Sequence, residues 1–317
     1  TGAVTSNSAI SQAINVVAAG DLTINANNIG GAVTNAGDLI LNGGTLTKAV
    51  TGAGTTSITG AVTANSAISQ TISISSSGDL TANAGNIGGA VTNAGDLILT
   101  GGTLSKSVSG AGLTTITGNT TNSAGINQGV NVNSGVTLTN NAALGSDNGK
   151  ITNAGTINTN ANNIKGAVTN NNALNLSGGT LSKAVSGSGT TNITGAVTSN
   201  SAISQAINII AAGDLTISAG NIGGAVTNAG DLILTGGTLS KAVSGAGLTT
   251  ISGNTTNNGG INQAVKVNSG VTLANNAALG SANGAITNAG TINSNADYIK
   301  GTVANSGSLN LSGGTLN

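Results

Sequence analysis

GDLILNGGTLTKAVTGA, residues Gly37 to Ala53, is the stretch on which the fold turns, because most of the chain is a variant of it. Leu39 and Leu41 alternate and so put two side chains on one face of a strand; Leu46 and Val50 add two further inward points before the pattern restarts. The preceding copy carries Leu22, Ile24, Ile29 and Val33 in the same places, with Leu22 17 positions before Leu39. A unit this short cannot bury its own apolar face, so it must stack on its neighbours, which is the logic of a solenoid.

Composition narrows the interior. The 317 residues contain one Tyr, no Phe and no Trp, while Ala, Val, Ile and Leu supply nearly all of the 38% that is hydrophobic. A narrow core of small and branched aliphatics is implied, and regular β-branched residues favour strands. Pro, which would interrupt a hydrogen-bonded ladder, is absent. The aliphatics recur in register, which a disordered chain would not show. Eight Lys balance eight Asp, so no net charge steers the chain to nucleic acid or to an anionic membrane. No apolar run is long enough to span a bilayer.

Larger repeats enclose the small ones. TGAVTSNSAISQAI at Thr1 returns at Thr59 and Thr194, with diverged copies at Thr117 and Ser252, giving blocks 1–58, 59–116, 117–193, 194–251 and 252–317. Cut at its leading glycines, a 58-residue block reads as coils of 17, 17 and 24 residues, and the 77-residue block adds a coil, Gly135 to Ala154, that Gly270 to Ala289 repeats. The expected fold is all-β: a right-handed parallel β-helix of 17–24 residues per coil, a single solenoid over 1–317 that is a window of a longer array. At about 4.8 Å per coil, roughly sixteen rungs would rise on the order of 80 Å.

The expected core ladder is Leu22, Ile24, Ile29, Val33, Leu39, Leu41, Leu46, Val50, Leu97, Leu99, Leu104 and Val108. The segments led by Leu22, Leu39, Leu80, Leu97 and Leu232 are expected in one sheet. The recurrent VTNAG or ITNAG makes Asn35 with Gly37, Asn93 with Gly95, Asn153 with Gly155, and Asn228 with Gly230 the corner residues, where positive φ would select Asn and Gly. Ten residues separate Ile58 from Ile68, against five from Leu41 to Leu46, so a projecting bulge or a wider corner is expected there.

Chemistry is constrained by what is missing. Without His, Cys, Glu or Arg, catalytic triads, Cys/His pairs, Glu-based acid–base pairs and arginine clamps are unavailable, and a non-enzymatic role is the expectation, ahead of a polysaccharide-degrading β-helix enzyme, which would need clustered carboxylates. No cofactor is implied. The pairs Asp21/Asp38, Asp79/Asp96 and Asp214/Asp231 fall on neighbouring rungs and suggest at most a Ca²⁺ ion, which takes six or more oxygens. Lys48, Lys106, Lys183, Lys241, Lys165 and Lys300 read as solvated, and Tyr298 as an outward residue. Thr55/Thr56, Thr114/Thr115, Thr190/Thr191 and Thr249/Thr250 read as outward threonine rows that would order water or contact glycans, the alternative to a purely structural role.

AGDLTINANNIGGAVTNAGDLILNGGTL, from Ala19 to Leu46, and ITNAGTINTNANNIKGAVTN, from Ile151 to Asn170, resemble the repetitive passenger regions of bacterial autotransporter and filamentous-haemagglutinin-type adhesins. The resemblance is one of pattern and covers essentially the whole chain. It implies a secreted, extracellular or cell-surface β-helix with adhesive or fibre-forming use, self-associating end to end or laterally, or meeting a host or neighbouring cell. The near absence of aromatics and the regularity of the repeats favour a stalk or filament shaft over a dedicated receptor site.

Overall fold

The computed structural model describes residues 2–316; Thr1 and Asn317, the ends of the expected 1–317 solenoid, lie outside the described residues. The chain is all-β, and its contacts divide it into two compact units: Thr1–Asn158 with Lys165–Ala167, and Thr159–Ile164 with Val168–Asn317. Each unit is a parallel β-helix with three walls.

In the first unit one wall stacks Gly2–Ser6, Gly20–Ile24, Asp38–Leu41, Thr55–Ile58, Thr71–Ile74 and Val91–Asn93, every pairing parallel. A second wall stacks Gly44–Leu46, Ala61–Ala64, Asp79–Ala82 and Asp96–Leu99, followed by the last residues of Val108–Ile116. The third runs from Ile14–Val16 through Val33–Asn35 and Val50–Thr51 to bridges at Ile68 and Ile87. Burial alternates along strands such as Asp38–Leu41, where Leu39 and Leu41 are buried and Asp38 and Ile40 only half-buried, so period-2 side chains fill a common interior.

The leading segments of Leu22, Leu39, Leu80 and Leu97 belong to one hydrogen-bonded sheet, joined through Val108–Ile116, but they do not stack in one wall, and Leu232 belongs to another sheet. Leu22 and Leu39 pair in the first wall, whereas Leu80 and Leu97 pair in the second. In the second unit Leu215 and Leu232 pair with each other above Val197, while the next block's leading strand, Thr272–Asn275, stacks on Thr255–Asn257 in a different wall. Each block therefore advances by one wall.

The cause is the stretch where a bulge was expected. Ala61–Ala64 is a wall strand, with Val62, Ala64 and Ile68 all buried. The 24-residue coil is thus four walls long, not three walls plus a loop. Looping Ala61–Ala64 out would return Val62 and Ala64 to water, at about 1.5–3 kcal/mol for the valine side chain. Hydrophobic burial selects the extra wall, and the block becomes three turns and a third. The described residues accordingly make about 18 turns, more than the roughly sixteen expected.

Corners are built by two devices. At five of them a strand ends in a single 3-10 turn, such as Ala26–Asn28, where the side chain of Asn25 accepts a bond from Asn27 N at 3.1 Å. Gly44 of the following turn passes over it with φ +89°, where a Cβ would run into Asn25 Oδ1. The VTNAG corners work differently. Among the described residues no non-glycine residue has positive φ, so these asparagines are not selected for left-handed backbone. Asn35 is instead a buried Asx-turn residue, accepting from Gly37 N at 3.1 Å. Gly37 is glycine because a Cβ there would strike Gly20 O in the turn below.

Candidate functional site

The twelve expected core residues, Leu22, Ile24, Ile29, Val33, Leu39, Leu41, Leu46, Val50, Leu97, Leu99, Leu104 and Val108, are buried in the structure. Asn35, Asn93, Asn153 and Asn228 are fully buried, and each accepts a bond at 3.1 Å from the glycine two residues on: Gly37, Gly95, Gly155 and Gly230. Cβ atoms on Gly95, Gly155 and Gly230 would meet carbonyl oxygens of the preceding turn, as at Gly37. Amide-to-amide bonds link asparagines of successive turns inside the walls, Asn122 to Asn140 at 2.6 Å and Asn257 to Asn275 at 2.7 Å.

The threonine rows divide. Thr56, Thr114, Thr191 and Thr249 point inward with no exposure, which removes half of the proposed outward rows. Each meets a buried glutamine 14 residues later: Gln70, Gln128, Gln205 and Gln263. Around Gln70 the set is complete. Its Oε1 accepts from Asn35 Nδ2 at 3.0 Å and Thr56 Oγ1 at 2.9 Å, and its Nε2 donates to Asn35 O at 2.6 Å and Thr51 O at 3.2 Å.

The Gln205 copy follows the same plan. The Gln205 amide satisfies both ends when Nε2 faces Asn170 O (3.0 Å) and Ser186 O (3.2 Å) while Oε1 faces Thr191 Oγ1. Gln128 and Gln263 each meet their threonine through Nε2, which donates to Thr114 Oγ1 and Thr249 Oγ1 at 2.8 Å, while both Oε1 atoms are buried without a partner. Gln12, the fifth glutamine, is exposed. Sequence alone held a signal for this network: all five glutamines of the chain occupy one repeat position, before x-Ile or x-Val.

Outside, the one-wall advance brings together threonines from unrelated parts of the repeat. Thr45, Thr63 and Thr81 are register partners on successive turns, with Ile98 and then Thr115 above them. The second unit repeats this column as Thr180, Thr198, Thr216, Ile233 and Thr250.

The charged groups are dispersed. Asp21 pairs with Asp38 in one wall and Asp79 with Asp96 in the next; Asp214 pairs with Asp231 in the second unit. The Asp79/Asp96 pair lies between Ala61 and Leu113, and Asp214/Asp231 between Ala196 and Leu248, so neither pair gains a third side-chain oxygen from its column. No group of three or more His, Cys, Asp or Glu occurs among the described residues. Lys48, Lys106, Lys165, Lys241 and Lys300 are exposed, and Lys183 is half-buried. Tyr298 lies in the 3-10 turn Ala296–Tyr298 and is 39% exposed. No helix of the described residues is long and apolar enough to cross a membrane. No family model matches the chain, and neither does any curated protein or solved structure.

Proposed function

We propose that the chain is a non-enzymatic structural element, the stiff shaft of a bacterial cell-surface adhesin or extracellular filament, exported and working outside the cell. The observation that carries this reading is the one-wall advance of each block. Any side chain the repeat presents, whether Asp38, Lys48 or Ile40, returns on a different side in the next block, as Asp96, Lys106 and Ile98. Such a surface favours uniform spacing over a concentrated ligand site. The chemistry agrees, since His-, Cys- and Glu-based acid–base and nucleophile–base pairs are unavailable to this sequence, and its aspartates form no group of three or more among the described residues.

Self-association, end to end or laterally, is the partner this reading favours, with a host or neighbouring cell surface as what the shaft reaches. Electron microscopy of the native material is the test. Extended unbranched particles or filaments support a shaft; compact particles would sink it.

A second reading draws on the columns Thr45, Thr63, Thr81 and Thr180, Thr198, Thr216, whose hydroxyls stand at strand spacing on successive turns. Such columns would order water or contact glycans. Ile98 and Ile233 interrupt them after three turns. Thermal hysteresis or retention on a glycan array, lost in Thr63→Tyr with Thr198→Tyr, would favour it over the shaft alone.

A further inference from the structure

Each glutamine-bearing run alternates strictly and sets one buried amide among inward aliphatic side chains. Ile68, Gln70, Ile72 and Ile74 are all buried, as are Ile126, Gln128, Val130 and Val132. In the second unit the equivalents are Ile203, Gln205, Ile207 and Ile209, and Ile261, Gln263, Val265 and Val267. Because the side-chain period of a strand is two, sliding such a run by two residues keeps every aliphatic side chain on the inner face. The aliphatic ladder is therefore blind to that slip. The one inward side chain that is not is the glutamine.

We infer that Gln70, Gln128, Gln205 and Gln263 are the positioning residues that fix the register of the strands following them. In the native pairing Ile72 lies on Thr56, Ser73 on Ser57 and Ile74 on Ile58. Only there does the Gln70 amide reach Thr56 Oγ1, Thr51 O and both the carbonyl and the side chain of Asn35, which lies 35 residues earlier. A two-residue slip in either direction carries the amide away from these groups and leaves its donors and acceptors in an aliphatic interior. The near-identical blocks make such slips a standing hazard, and each 58- or 77-residue step carries one amide lock against them. The recurring separations, 21 residues from Asn to Thr and 14 from Thr to Gln, hold in all four copies.

Cysteine pairs read the register directly, since the chain has no cysteine of its own. Ser57 and Ser73 are half-exposed register partners, so Ser57→Cys with Ser73→Cys reports the native pairing. Neighbouring strands stand about 4.8 Å apart, within disulfide reach, whereas residues two places out of register are about 8 Å apart and are not bridged. Ser57→Cys with Thr71→Cys, and Ser57→Cys with Ser75→Cys, therefore report the two slips.

With Gln70 intact, only the 57/73 pair oxidises within the chain. In Gln70→Leu, with β structure verified by circular dichroism, the 57/73 yield falls by more than half and a 57/71 or 57/75 bridge appears. Thr56→Ser, which keeps the hydroxyl, leaves the pattern as in the parent. An exclusive 57/73 bridge in Gln70→Leu overturns the inference. Should Gln70→Leu fail to fold, Gln70→Met, similar in length and still apolar, is read by the same criterion. The outcome is independent of whether the native material forms filaments.

Discussion

Gln70 and Asn35, two turns apart, grip one another reciprocally: Gln70 Nε2 donates to Asn35 O at 2.6 Å while Asn35 Nδ2 donates to Gln70 Oε1 at 3.0 Å. Between them passes the corner Thr51 to Thr55, whose Gly52 and Gly54 would collide with Asn35 if either carried a Cβ. The pair thus closes over an intermediate turn that must be thin. Packing, backbone choice and polar satisfaction at this corner are one arrangement.

The inward and outward residues of a single strand separate the contribution of the core. Leu39→Ala is expected to destabilise by about 2–5 kcal/mol, the range for a buried leucine whose cavity cannot collapse. Ile40→Ala, half-exposed on the same strand, should stay within about 0.5 kcal/mol. Guanidinium denaturation midpoints of the two variants measure the difference; equal shifts would contradict the assignment of faces.

The buried corner asparagines test polar satisfaction. Asn93 donates to Leu113 O at 3.0 Å and accepts from Gly95 N at 3.1 Å, with no solvent exposure. Asn93→Ala leaves both backbone groups without those partners and should cost about 1–3 kcal/mol. Thr92→Ala, exposed on the same strand, is the near-neutral control, and the comparison is made by thermal unfolding.

Glycine is required here more by closeness than by torsion. Gly95→Ala should destabilise strongly although its φ is not positive, because its Cβ would run into Gly78 O and Ser75 O. At Gly220, in the turn Ala219–Asn221, the nearest atom to an added Cβ is Ser218 Oγ at 4.0 Å. Gly220→Ala should therefore stabilise by about 0.4–1 kcal/mol through the unfolded chain. Opposite shifts in melting temperature are the expected result.

Asp79 and Asp96 are like charges on directly adjacent strand positions. Asp96→Asn relieves that repulsion and should raise the melting temperature slightly at low ionic strength, the gain shrinking as salt is added. A gain that persists unchanged in high salt would show that charge is not its source.

How far the residues speak for themselves can be judged at particular positions. Leu39 and Leu41, with their 17-residue recurrence, suffice to specify a parallel stacked coil, because alternation gives the strand and repetition gives the stack. The inward placement of Thr56 was not legible, because Thr55 and Thr56 are equally polar and only the partner strand tells which faces in. The role of Gln70 was hidden for a related reason: its partners lie 14, 19 and 35 residues away, beyond any local pattern, although the confinement of glutamine to one repeat position marked it out.

By itself the sequence determined an all-β solenoid with an aliphatic interior and a composition without His, Cys, Glu or Arg, since local alternation and composition are properties of short stretches. Tertiary structure alone decided that the 24-residue coil is four walls long, so that each block turns one wall beyond the last. That outcome compares Val62 and Ala64 in a loop with the same residues packed on the turns beside them, and only the assembled turns supply the surface that makes burial the better state.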